Sequence, residues 1–409
     1  MKRFKNNIDR TCKNCMIKMN NCFFLISSNT FNNCCLLSSE KDGDKRKASW
    51  NIYPDSHTHS YTSSWAWSVD ETTNLTTATL TLECSGSSGC GRKVIICKKD
   101  IAPVTTDDTY SYSVTYSYNS TDYTNSHTEY KPPEYKGNSV TVDGKIGLYF
   151  YVDLHKSVDS PKITFTCNNK TTEEALVPDG EKYRAAFYVA PKQMGDTVTA
   201  TVTVDGKTTS KDYTVKDYLL RLYRNENGEA GTGEKAAQLQ ALARSLLNYG
   251  AKAQLQFGYK TTDERDLVDY VLTPYTPASP AGQIEKLSYA ADQFSAYNMA
   301  YAGSSLILNN DTTLRVFFSK TGGFTSAPTL TCGGKDLSPG TKGSYITYDI
   351  TGIPAPYVLS TNTVTFPNNS TAGFTACNYI LNKYSSGDTI AAVVNALYDY
   401  SVKASAYLS

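Results

Sequence analysis

Twice along this chain a strand-like run leads into a short tyrosine-bearing helix pattern and then into a longer amphipathic one. The first copy reads DYTVKDYLLRLY over Asp212 to Tyr223, then LQALARSLLNYGAKAQLQF over Leu239 to Phe257. The second reads GFTACNYILNKY over Gly373 to Tyr384, then IAAVVNALYDYSVKASAYL over Ile390 to Leu408. Shifted by 151 residues, Leu239, Leu242, Leu246, Tyr249, Ala253 and Phe257 fall on Ile390, Val393, Leu397, Tyr400, Ala404 and Leu408. An internal repeat constrains the architecture before any local pattern does. Two unrelated amphipathic helices would share a 3.6-residue period, but not the matched Tyr218/Tyr379, Tyr223/Tyr384 and Tyr249/Tyr400 as well.

The matching extends upstream. Leu148 to Val152 corresponds to Leu314 to Phe318 at an offset of 166, and Cys167 to Cys332 at 165. The tyrosine helices match at 161 and the long helices at 151. Falling offsets place the length changes in loops, as a duplicated fold requires. Each long stripe needs a partner surface, which the preceding β-sheet supplies. Gly258 sits where a helix C-cap glycine belongs, and Gly250 is the weak point of the first long helix.

The expected fold is α+β and multi-domain. An N-terminal all-β, sandwich-like module of immunoglobulin-like kind precedes two related β-sandwich or sheet domains, each ending in a C-terminal helical pair. Residues 49–136 are the small β module, 138–259 the first repeat, 260–302 a connector with a helix from Ile284 to about Met299, and 303–409 the second repeat. In the β module, Tyr110, Tyr112, Val114, Tyr116 and Tyr118 alternate with Ser and Thr, which puts them on one face of a half-buried strand. Asp205-Gly206 reads as a hairpin turn.

Residues 1–48 differ in character. They are rich in Lys and Asn and hold Cys12, Cys15, Cys22, Cys34 and Cys35 of the eleven cysteines. Cys12 and Cys15 have CxxC spacing, but no second CxxC follows and no βαβ pattern surrounds them. The apolar run from Cys22 to Ile26 is too short for a signal peptide or a membrane span. The expectation for 1–48 is a disordered leader or a segment ahead of the true start.

Charged residues make up 19% of the chain and the net charge is +1, against 31 tyrosines and abundant Ser and Thr. That balance supplies no overall field for nucleic acid or anionic membrane. A surface made polar by hydroxyls is common in extracellular modules.

At this level the residues resemble a repeat module of large secreted or cell-surface proteins of gut Firmicutes. The stretches that carry the resemblance are Ile146 to Leu154, Ile163 to Thr166, Met194 to Val202, Tyr213 to Leu222 and Leu242 to Tyr259. The β module resembles the companion module of the same proteins at His57 to Tyr61, Trp65 to Trp67 and Ala78 to Cys84. The resemblance implies an extracellular or surface location and brings no catalytic residues. A secretion signal and a wall-anchoring motif are both missing, as expected of a fragment or a mis-started reading frame.

Few constellations could carry chemistry. His57, His59, Cys84 and Cys90 include the ligand types of a zinc site. A Cys84–Cys90 disulfide is the competing reading, with Cys97 a further partner. Trp65 and Trp67, two apart on a strand, share a face and could stack on sugar rings, but core packing is the favoured use. Asp153 and His155 lie two apart, and His127 sits in a Thr/Ser-rich stretch read as a loop. His155 reads as a solvated strand end, and Glu173-Glu174 and Asp107-Asp108 as solvated loop charges. No nucleophile elbow, P-loop or dinucleotide fingerprint occurs. The expectation is a non-enzymatic binding or spacer protein without cofactor, whose partner is a host protein or glycan. The alternative is an accessory region of a secreted carbohydrate-active enzyme or peptidase.

Overall fold

A computed structural model describes residues 17–19, 22–24, 33–42, 45–54, 58–85, 93–141, 144–260, 275, 277–309 and 311–409. The chain divides into two compact units, Met1–Lys131 and Pro132–Ser409.

In the first unit, β1 (Ile17–Met19) pairs with β2 (Cys22–Phe24), and β3 (Asn33–Asp42) with β4 (Lys45–Pro54). The segment read as a leader therefore contains strands. Next come β5 (Tyr61–Asp70), β6 (Leu75–Cys84) and β7 (Lys93–Ile101), which form an antiparallel sheet in that order. A second sheet has the order β10 (Thr121–Tyr130), β9 (Thr109–Tyr118), β8 (Val104–Thr105). Ala78, Leu80 and Leu82 of β6 bury against Tyr112, Val114 and Tyr116 of β9, so the two sheets form a sandwich. The period-two tyrosines do face the core. Tyr116 donates its hydroxyl to Ala78 O at 2.8 Å, and Tyr112 to Asn74 O at 3.1 Å, which satisfies both buried phenols.

The second unit holds the duplication. The first copy contains β11 (Glu134–Thr141), β12 (Ile146–Asp153), β13 (Lys162–Cys167), β14 (Lys170–Ala175), β15 (Val177–Asp179), β16 (Lys182–Val189), β17 (Val198–Val204) and β18 (Lys207–Tyr213). Helices α1 (Val215–Arg224) and α2 (Gly233–Phe257) follow. The second copy contains β19 (Met299–Leu308), β20 (Thr312–Lys320), β21 (Leu330–Cys332), β22 (Lys335–Leu337), β23 (Gly340–Lys342), β24 (Tyr345–Ile350), β25 (Asn362–Thr365) and β26 (Thr371–Phe374), then α3 (Cys377–Lys383) and α4 (Thr389–Leu408). Sheet orders are β11-β12-β16-β15 and β14-β13-β17-β18 in the first copy, β19-β20-β24-β23 and β22-β21-β25-β26 in the second. Adding eight to each strand number converts one copy into the other.

Even the irregularities recur. The register of β11 on β12 shifts between Tyr135 and Gly137, and that of β19 on β20 between Tyr301 and Gly303. Both bulge glycines have positive φ, 148° and 134°, which side chains rarely adopt. This Tyr-x-Gly pair, 166 apart, marks a first strand in each copy. Those strands begin at Glu134 and Met299, ahead of the boundaries read from apolar spacing.

Two pairs of equivalent residues touch each other. Lys145 bridges Asp311 in antiparallel fashion, and Tyr249 stacks on Tyr400. Contact between a residue and its own counterpart is the mark of a two-fold relation, here within one chain. Along it α2 packs on α4, and one continuous core runs from Ile146 to Ala404 through both copies. Leu242, Leu246, Val393 and Leu397 of the stripes are buried there, each stabilising by about 1.5–3 kcal/mol. The stripe ends, Phe257 and Leu408, remain 45% and 65% exposed.

The connector differs from expectation. Among its described residues there is no α-helix between 277 and 298, only a 3-10 turn at Ser295–Tyr297. Its apolar residues dock individually instead. Phe294 is buried, and Tyr289 lies 5.4 Å from Phe374 and 4.1 Å from Tyr301, ring to ring. The backbone of Leu287 is satisfied from outside, its N–H by Asn378 Oδ1 at 2.8 Å and its carbonyl by Asn378 Nδ2 at 2.9 Å. A helix would have to give up both bonds.

Gly250, the expected weak point of α2, is a close approach. A Cβ there would stand 2.0 Å from Met194 Cε and 2.9 Å from Pro191 O. The missing side chain lets the helix rest on the 3-10 turn Pro191–Gln193.

Candidate functional site

The aromatic candidates lie in the first unit. β5 pairs with β6 so that Trp65 faces Leu80 and Trp67 faces Ala78 in register. Both indoles are half-buried against the sandwich core. Trp65 stacks on Tyr116 at 5.5 Å and on Trp67 at 6.3 Å. Trp67 stacks on His127 at 5.5 Å and donates Nε1–H to Asn125 Oδ1 at 3.2 Å. His127 in turn stacks on Tyr112 at 6.2 Å, and its Nε2 lies 3.0 Å from Glu129 Oε1. The result is a seam of rings between the two sheets, engaged mainly with one another.

This placement corrects the reading of His127. It lies on strand β10, whose inner face carries Tyr123, Asn125, His127 and Glu129. That alternation contains one apolar residue, so a hydrophobicity count could not reveal it.

Of the metal candidates, His59 Nδ1 and Cys84 Sγ come within 3.2 Å of each other. His57 and Cys90 lie outside the described residues, as do Cys12 and Cys15. His155 is buried rather than solvated. It takes a left-handed turn, φ 56°, that leaves its side chain 3% exposed, with Asp153 Oδ1 3.6 Å from Nδ1. Glu173 and Glu174 lie on exposed strand β14, where Lys162 pairs with Glu173 at 2.6 Å.

Sequence reasoning missed a groove of about 760 Å³ in the second copy. The short β21–β22 hairpin, with Gly333 at its turn and Lys335 and Asp336 beyond, forms one side. Arg315 of β20 and Asp349 of β24 lie opposite each other in register and close a two-pronged pair, Nε to Oδ1 at 2.7 Å and Nη2 to Oδ2 at 2.6 Å. The bond to Asp349 raises the guanidinium's pKa and fixes its plane. Lys342, Tyr357 and Asn362 complete the lining, and Tyr357 is 59% exposed.

Among the described residues of the first copy nothing reproduces this constellation. The register position of Arg315 and Asp349 is held there by Tyr149 and Ala186. The hairpin strands are six residues long in the first copy and three in the second. Cys332, on the groove wall, has its thiol pKa pushed up by burial, which disfavours the thiolate a nucleophile needs.

Where the second copy has Gly333 and Asn362, the first has Asn168 and Asp196, and these belong to a polar cluster. The Asp196 side chain is 1% exposed. It accepts from Asn168 Nδ2 at 2.6 Å, Tyr259 Oη at 2.6 Å and Lys260 Nζ at 2.7 Å.

No protein-family model matches the chain, and no curated protein matches it.

Proposed function

We propose that this chain is a non-enzymatic binding protein of the cell exterior, and that the groove of its second repeat takes a carbohydrate chain. The observation that carries the proposal is the Arg315–Asp349 pair beside exposed Tyr357. Sugar hydroxyls both donate and accept, so planar groups with fixed donors and acceptors suit adjacent hydroxyls. An exposed phenol ring offers an apolar face for the C–H side of a sugar. A site ready before its ligand arrives loses little ordering entropy on binding.

The groove is built where the copies differ, while the positions they share are mostly core. A duplicated scaffold frees one copy to change its surface without touching the common packing. The non-enzymatic reading is supported by the burial-raised Cys332 thiol and by the mutual neutralisation of Arg315 and Asp349.

The exterior location rests on the resemblance to secreted modules and on the surface chemistry. Exposed strand faces carry hydroxyl pairs, such as Thr201 with Ser210 at 2.9 Å and Thr115 with Thr124 at 2.8 Å, beside ion pairs such as Lys162 with Glu173. Among the described residues no helix is long and apolar enough to cross a membrane. A glycan array probed with the whole chain tests the proposal. Concentration-dependent binding to a defined glycan class supports it, and no binding to any glycan overturns it.

A further inference from the structure

The polar cluster of the first repeat brings together a primary amine, a carboxamide and a carboxylate that touches both. Three segments deliver them. Asn168 lies in the two-residue turn between β13 and β14, at φ 49°. Asp196 precedes β17 and bonds its own N–H to Gln193 O at 2.9 Å. Lys260 stands two residues past Gly258, the left-handed cap of α2. Lys260 Nζ lies 2.7 Å from Asp196 Oδ1 and 3.5 Å from Asn168 Oδ1. The other carboxylate oxygen, Oδ2, accepts from Asn168 Nδ2 at 2.6 Å. One carboxylate thus spans the amine and the amide nitrogen, while its burial removes competing water from it.

We propose that Lys260 and Asn168 form an intramolecular isopeptide bond, with Asp196 as the proton carrier. Asp196 Oδ1 takes a proton from the Lys260 ammonium, and the freed Nζ lone pair attacks Asn168 Cγ. The Nζ–Cγ bond forms and the Cγ–Nδ2 bond breaks. Asp196 Oδ2 returns the proton to the departing nitrogen. Counting the second proton that Nζ gives up on becoming an amide, the leaving group departs as ammonium. No oxidant, reductant or further reactant is consumed. Holding amine and amide in contact makes the reaction effectively unimolecular, which is the main contribution a fold can give to a slow amide exchange. Tyr259, donating to Oδ2 at 2.6 Å, keeps the carboxylate oriented.

The bond would join residues 92 apart and fasten the end of α2 to the β13–β14 turn. In the second copy Gly333 occupies the position of Asn168, so the crosslink belongs to the first copy alone. An extracellular role under mechanical or proteolytic load would gain from a covalent tie there.

Intact mass of the whole purified chain tests the proposal, with peptide mapping beside it. Expected are a mass lower by one ammonia and a branched peptide joining Asn168 to Lys260, both abolished in Lys260→Arg, Asn168→Ala and Asp196→Asn. Lys260→Arg keeps the charge and should still fold, but should melt at a lower temperature. Unshifted mass with linear peptides carrying Lys260 and Asn168 overturns the proposal. An ammonia loss that persists in Lys260→Arg is succinimide formation at Asn168 and overturns it equally.

Discussion

Tyr249 and Tyr400, one from each long helix, stack with ring centroids 5.9 Å apart and planes 16° from parallel. They are the same residue of the repeat unit, 151 positions apart, and both are buried. The pair marks where two β-plus-helix blocks stop being separate domains and become one core. Truncating either ring to Ala should cost about 3–5 kcal/mol, as for other buried aromatics. The double mutant should cost less than the sum by about 0.5–1.5 kcal/mol, the coupling typical of an aromatic pair. Urea melts of the four proteins measure it. Tyr249→Phe should be nearly neutral, because its hydroxyl has no hydrogen-bond partner among the described residues.

Gly250→Ala sets helix propensity against packing. In an open helix the change stabilises by about 1 kcal/mol. Here the added carbon meets the backbone oxygen of Pro191 and the end of Met194, and overpacking costs about 1–3 kcal/mol. The net expectation is a lower melting temperature. A rise would mean that the helix shifts on its turn at little cost.

Alkaline stability follows from the buried phenols. Burial raises Tyr213 to about 12 and pushes Tyr249 and Tyr400 up as well, against about 10 in the unfolded chain. A pKa raised by folding contributes stability that is complete below the unfolded value and is lost as pH rises through the folded one. Denaturant midpoints should therefore stay level with respect to these groups up to about pH 10, then fall through about pH 12. Tyrosinate absorbance should lag behind that of free tyrosine over the same range.

In the first unit, Trp67→Ala should lower stability by about 2 kcal/mol, less than a fully buried tryptophan because the ring is half-buried. Its removal also unstacks His127 and leaves Asn125 Oδ1 without the indole donor. Thermal unfolding followed by the remaining tryptophan fluorescence is the check. No loss of stability would free Trp67 for a surface role.

Much of the fold could be read from the chain because it rests on periodicity. The duplicated helices, the Tyr110–Tyr118 strand face and the Gly258 cap all follow from spacing. The connector misled because Ile284, Leu287, Ala291 and Phe294 follow one another at the 3, 4 and 3 spacings of a helix face, while the Asn378 side chain that holds Leu287 outside a helix is 91 residues away. The bulges escaped because a Tyr-x-Gly pair is a weak signal until both copies are aligned.

The groove was hidden for a different reason. Arg315 and Asp349 are 34 residues apart and meet only through strand register. The first copy, with Tyr149 and Ala186 there, gives no hint of them. His127 shows the same limit, since its face of β10 is mostly polar and becomes visible only once Trp67 lies against it.

The site assignment can be decided by comparing glycan binding of the whole chain with Tyr357→Ala, Asn362→Ala and Trp67→Ala variants, each checked for folding by circular dichroism. Placing the ligand in the groove of the second repeat requires that Tyr357→Ala and Asn362→Ala lose binding at least tenfold, about 1.4 kcal/mol, while Trp67→Ala binds as the unmodified chain does. Binding that survives both groove substitutions and falls with Trp67→Ala would contradict it and move recognition to the aromatic seam of the first unit.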